Sequence, residues 1–143
     1  MQYSFRFTAA IAAVMVTGAV RAFDPPSDTQ EGVCLSIDAV PKEAVTGKPL
    51  TFTVRLKNNG GQAVTGAVEV WMNDDWQMAG SSPMAVSADP GGTWQTSCSA
   101  TARERVLDAL YPVHARFVFE RNGKRIGLHP VAVFKAVRPA APA

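Results

Sequence analysis

Hydrophobic and polar residues alternate with a period of two along most of the chain. Val33, Leu35 and Ile37 alternate with Cys34, Ser36 and Asp38; Leu50, Phe52, Val54 and Leu56 alternate with Thr51, Thr53, Arg55 and Lys57. Successive side chains of a strand point to opposite faces, so each segment predicts a strand with one buried and one wet face. Val68, Val70 and Met72 form a third set, out of phase with Ala67, Glu69 and Trp71. Met84–Ala88 is a short candidate strand, and Trp94, Thr96 and Cys98 share a face. Val113, Ala115, Phe117 and Phe119 then alternate with His114, Arg116, Val118 and Glu120. The last strand runs from Lys124 to Val137, interrupted at Pro130 as an edge or a bulge would be.

Turn chemistry separates these segments. Asn58-Asn59-Gly60-Gly61, Asn73-Asp74-Asp75 and Pro90-Gly91-Gly92 are clusters of residues that favour turns. Asn122-Gly123 is the strongest hairpin signal, because a type I′ turn needs positive φ at both central residues. A two-residue loop there fixes the register: His114 faces Val131, Arg116 faces His129, and Glu120 faces Arg125. Ala100–Leu110 carries the one helix-like pattern and could equally be a short connection between strands. About seven short strands without a helical layer predict an all-β, two-sheet sandwich.

One segment adds a family likeness. Val45 to Val64 contains Gly47-Lys48-Pro49, a clean strand, and then Lys57-Asn58-Asn59-Gly60 leading into the next strand. This pattern resembles the front half of bacterial immunoglobulin-like accessory modules: the CARDB (cell-adhesion-related) group and similar modules attached to secreted glycosidases. The resemblance implies an immunoglobulin/fibronectin-III-like β-sandwich. It also implies a noncatalytic accessory, adhesion or carbohydrate-associated role.

Length and composition bound the rest. The 143 residues suffice for one domain, and 47% hydrophobic content with 11 Gly and 10 Pro fits a loop-rich globular chain. Residues 1–22 read as a secretory signal peptide: Arg6, an apolar stretch from Phe7 to Val20, and a small-residue exit at Ala22. Cleavage after Ala22 predicts a secreted or periplasmic protein, with no transmembrane segment. Residues 23–32 then read as a linker, 33–137 as the sandwich, and 138–143 as a Pro/Ala tail. The signal holds two of the 14 Lys+Arg and no acid, so the mature part balances 12 bases against 12 acids. A nucleic-acid binder needs a basic stripe to displace counterions, so no nucleic-acid partner is expected.

Candidate chemistry is sparse. Asp74-Asp75 reads as a turn rather than a catalytic pair, and no phosphate loop, HExxH or GxSxG motif occurs, so no enzyme and no cofactor are expected. His114 and His129 are diagonal neighbours in the hairpin register, within about 8 Å of each other. Together with Met72, Met78 or Met84 they offer the alternative of a periplasmic copper carrier, although Arg116 beside them has the wrong charge. Cys34 and Cys98 could form a disulfide in an exported protein, yet they fall on opposite parities of strands separated by another strand, and the bridge stays open.

Trp71 is the remaining candidate. Its outward parity, with His114, Arg116 and His129 on neighbouring outward positions, gives an apolar platform beside convertible positive charge. Such a face suits a protein or glycan partner at the cell envelope, one bearing carboxylates in particular.

Overall fold

The computed structural model describes residues 26–73, 76–80, 82–103 and 106–140. The expected signal peptide, Asp74-Asp75 and the end of the tail lie outside them. Eleven strands occur among the described residues: β1 (Ser27–Gln30), β2 (Val33–Asp38), β3 (Glu43–Val45), β4 (Leu50–Asn58), β5 (Val64–Met72), β6 (Trp76–Met78), β7 (Met84–Ala88), β8 (Thr93–Ala102), β9 (Ala109–Arg121), β10 (Lys124–Leu128) and β11 (Val131–Val137). One sheet has the order β1-β2-β4-β8-β6. The other has the order β3-β11-β9-β5-β7, with β10 also paired to β9. Every pairing is antiparallel except β3 with β11. This is the two-sheet β-sandwich that the alternation predicts, of the immunoglobulin-like type that the resemblance implies.

The strand count exceeds the expected seven for local reasons. β3 and β6 have three residues each and β1 has four, too few for a period of two to register. Pro130 divides the last expected strand into β10 and β11. Ser27–Gln30, expected to be part of a linker, instead pairs with Val33–Ser36 as an edge strand. Ala100–Leu110 contains no helix among its described residues. Ala100 pairs with Leu50 and is buried, so sheet pairing overrides local helix preference there. The connection after β8 is held by Tyr111: its hydroxyl accepts from the Leu107 N–H at 3.0 Å and donates to the Leu107 carbonyl at 3.1 Å. A tyrosine at the start of a strand, bonded back to backbone just upstream, is a tyrosine corner of immunoglobulin-like sandwiches.

The inward parities form one core. Val33, Leu35, Val54, Leu56, Val68, Val113, Ala115 and Phe117 are fully buried, and Phe119 and Phe134 nearly so. Gly66 sits under Phe117: a Cβ there would lie 2.8 Å from the ring and 2.2 Å from the Val118 carbonyl oxygen. Asn58, which the sequence places only in a turn, is completely buried. Its amide donates to the carbonyls of Gln62 at 2.7 Å and Ala88 at 3.1 Å, and its side-chain oxygen accepts from the Gly60 N–H at 3.0 Å. One side chain thereby ties the β4–β5 turn to the end of β7.

The hairpin register is as expected. Asn122 and Gly123 both have positive φ, and Glu120 faces Arg125 across β9 and β10. Cys34 and Cys98 are free thiols. Cys34 pairs with Lys57 on one side of β4, and Cys98 with Phe52 on the other. Two strand spacings, about 9.5 Å, exceed the roughly 7 Å reach of a disulfide.

Candidate functional site

The outer face of the second sheet carries the predicted residues. β5 and β9 place Trp71 directly opposite His114, and Glu69 opposite Arg116. The Trp71 and His114 rings stack with centroids 5.0 Å apart and planes within 3°. His129 completes a triangle, 5.2 Å from Trp71 and 5.3 Å from His114. Nδ1 of His114 and Nε2 of His129 are 3.0 Å apart, a hydrogen bond in which one ring donates and the other accepts. The three rings form one cluster.

Backbone geometry explains why His129 reaches it. His129-Pro130 is the break between β10 and β11, and the Ala115 N–H still reaches the Pro130 carbonyl at 3.3 Å. The His129 N–H, freed from the ladder, donates to the Asp28 carboxylate at 2.9 Å. Gln30 donates to the Gly127 carbonyl at 2.8 Å. β1 thus anchors the far side of the site, a role that its polar sequence did not announce.

His114 is half-buried, whereas His129 and Arg116 are exposed. Burial, and secondarily the positive charge His129 can carry, push the His114 imidazole below its ordinary value. Its Nε2 is buried without a hydrogen-bond partner among the described residues. His114 therefore serves as a neutral, apolar-faced ring at neutral pH. Arg116 and His129 line a shallow open depression with Val118, Arg125 and Gly127, so two guanidinium groups adjoin the aromatic cluster.

The structure separates the histidines from the methionines. Met72 lies on the opposite parity of β5 and packs against the core, as do Met78 and Met84. The His-plus-Met ligand set expected of a copper carrier is not assembled, because the two kinds of ligand stand on opposite sides of a sheet. Trp76, expected just beyond a turn, is buried at 5% exposure with its ring edge-on to Phe134 at 5.1 Å and Tyr111 at 5.8 Å. It belongs to the core, so the segment it opens offers no aromatic platform.

No protein-family model matches the chain, and no curated protein matches it. Solved structures do. Native Escherichia coli alpha-2-macroglobulin matches with a TM-score of 0.66 at 15% identity over 75% of this chain. Its trypsin-activated form gives 0.65 at 16% identity over 76%. The chain spans only 7% of those macroglobulin chains. A CARDB domain from Pyrococcus furiosus, solved with di-metal ions, matches with a TM-score of 0.50 at 20% identity, covering 78% of this chain and 97% of that one. These likenesses establish the fold: an immunoglobulin-like sandwich of the kind found in CARDB domains.

Proposed function

We propose that the protein is an exported, noncatalytic immunoglobulin-like accessory module that binds a carboxylate-bearing glycan or protein through the outer face of its second sheet. The observation that supports this most is the clustering of Trp71, His114 and His129 into one ring assembly beside Arg116. Two rings on paired strands and a third at the β10–β11 break, packed against one another, present apolar area at little entropic cost, and tryptophan and arginine are favoured anchors of binding surfaces. Arg116 supplies a planar, always-charged fork for a carboxylate. Export rests on the reading of residues 1–22, and the accessory role on the kinship of fold; both agree with a surface that binds rather than reacts.

The test screens the purified protein against an array of neutral and acidic glycans, then compares Trp71→Ala and Arg116→Ala with the parent by calorimetry. Selective capture of acidic glycans, weakened in both variants while their melting curves stay unchanged, is the expected result. Unchanged affinity in both folded variants removes this face as the binding surface.

A further inference from the structure

A second feature lies between the sheets rather than on one of them. Where β6 ends and β7 begins, a partly open cleft of about 140 Å³ separates the two layers. Met78 of β6 and Cys98 of the neighbouring β8 line it from the first sheet, and Met84 from the second. Val70, Thr96 and Ser82 complete the wall, and the Ser82 hydroxyl accepts from the Val70 N–H at 3.0 Å. Protein interiors are ordinarily close-packed, and this volume exceeds the roughly 30 Å³ share of one water severalfold.

Two thioethers and a thiol line the cleft beside the hydroxyls of Ser82, Thr96 and Ser97, and among the described residues that line it none is a carboxylate, an imidazole or a cation. Hard cations such as Ca²⁺ and Mg²⁺ need oxygen cages, and Zn²⁺ favours imidazole and thiolate together. Thioether with thiolate is the combination that selects a soft, monovalent d¹⁰ cation. Cys98 is also available for it. β4 stands between Cys98 and Cys34, so no disulfide consumes the thiol.

We propose that Met78, Met84 and Cys98 form a Cu(I) site in the cleft between the sheets. Binding replaces the S–H bond of Cys98 by a sulfur–copper bond and releases one proton to solvent, with no change in oxidation state. The exposed residues Ala79 and Gly80 at the lip give the ion a route from solvent. This site is separate from the Trp71 face, and neither proposal depends on the other.

The experiment titrates the reduced, anaerobic protein with Cu(I) against a chromophoric chelator. One ion should bind per chain with one proton released. Cys34→Ser and Trp71→Ala should retain this binding. Met78→Leu with Met84→Leu should lose it while still folding, because leucine and methionine are nearly equal in volume. Cys98→Ala should lose both binding and proton release. No one-to-one binding in the parent, binding that survives the double methionine variant, or binding abolished by Cys34→Ser overturns the proposal.

Discussion

Phe117 and Arg116 are adjacent on β9 and face opposite ways, so a pair of alanine substitutions tests the architecture directly. Phe117 is fully buried, stacks on Phe119 at 5.6 Å, and lies against Gly66, which has no side chain to move into a void. Phe117→Ala therefore leaves a cavity that its neighbours cannot fill, at a cost of about 3–5 kcal/mol. Small domains have about 5–15 kcal/mol of stability in all, so the variant keeps a fraction of it. At this size the loss corresponds to a drop in Tm of roughly 10–20 °C. Arg116 is exposed, and Arg116→Ala should cost less than about 1 kcal/mol. Urea unfolding followed by far-UV circular dichroism measures both, and an unchanged slope shows that the midpoint shift is a stability change. Equal losses at the two positions would refute the assignment of faces.

Three further outcomes follow from single contacts. Gly66→Ala should destabilise at least as much as Phe117→Ala in the same urea assay, because its Cβ would stand 2.2 Å from a backbone carbonyl oxygen that cannot rotate away. Asn58→Ala should cost about 2–4 kcal/mol, since it strands the buried Ala88 carbonyl and unmakes the bonds to the Gln62 carbonyl and the Gly60 N–H. His114 also gives stability a pH dependence. Its folded value is lowered, so the unfolded chain binds more protons between that value and 6.5. Its contribution is complete above about pH 6.5, the ordinary histidine value, and is lost as the pH falls through the folded value. Urea midpoints measured from pH 8 to 4 should show a fall on the acid side that is reduced in His114→Asn.

Most of the fold was legible because strands with one buried face write their geometry as a period of two. The inward sets on β2, β4, β5 and β9 are buried in the structure, with Met72 at the end of β5 half-buried. Tertiary choices were less visible. Nothing in Ser27–Gln30 is apolar enough to predict a strand, since β1 gains its place by backbone pairing to β2 and by polar contacts to β10. Trp76 opens a three-residue strand, too short to show parity, so its burial depends on Phe134 and Tyr111, which are distant in sequence. The helical composition of Ala100–Leu110 is a local preference outweighed by sheet pairing at both its ends, Ala100–Ala102 with β4 and β6, and Ala109 and Leu110 with β11.

The site shows the same division between what parity carries and what tertiary contact adds. Parity alone puts Trp71 and His114 on the outer face, and the Asn122-Gly123 turn alone brings His129 to the same side. Neither says that the rings touch. Contact requires the exact register of β5 on β9, which opposes Trp71 and His114, and the break at Pro130, which turns His129 toward them. Asp28 adds a restraint, since its carboxylate accepts from the His129 N–H that the break leaves out of the ladder. Asp28 therefore acts on the aromatic face through backbone rather than through charge. Asp28→Asn should preserve the site, since its amide oxygen still accepts from His129. Asp28→Ala should loosen His129 and reduce its imidazole's NMR contacts to Trp71 while leaving the core intact. Equal ring contacts in all three proteins would show that the turn and the break position His129 without help from β1.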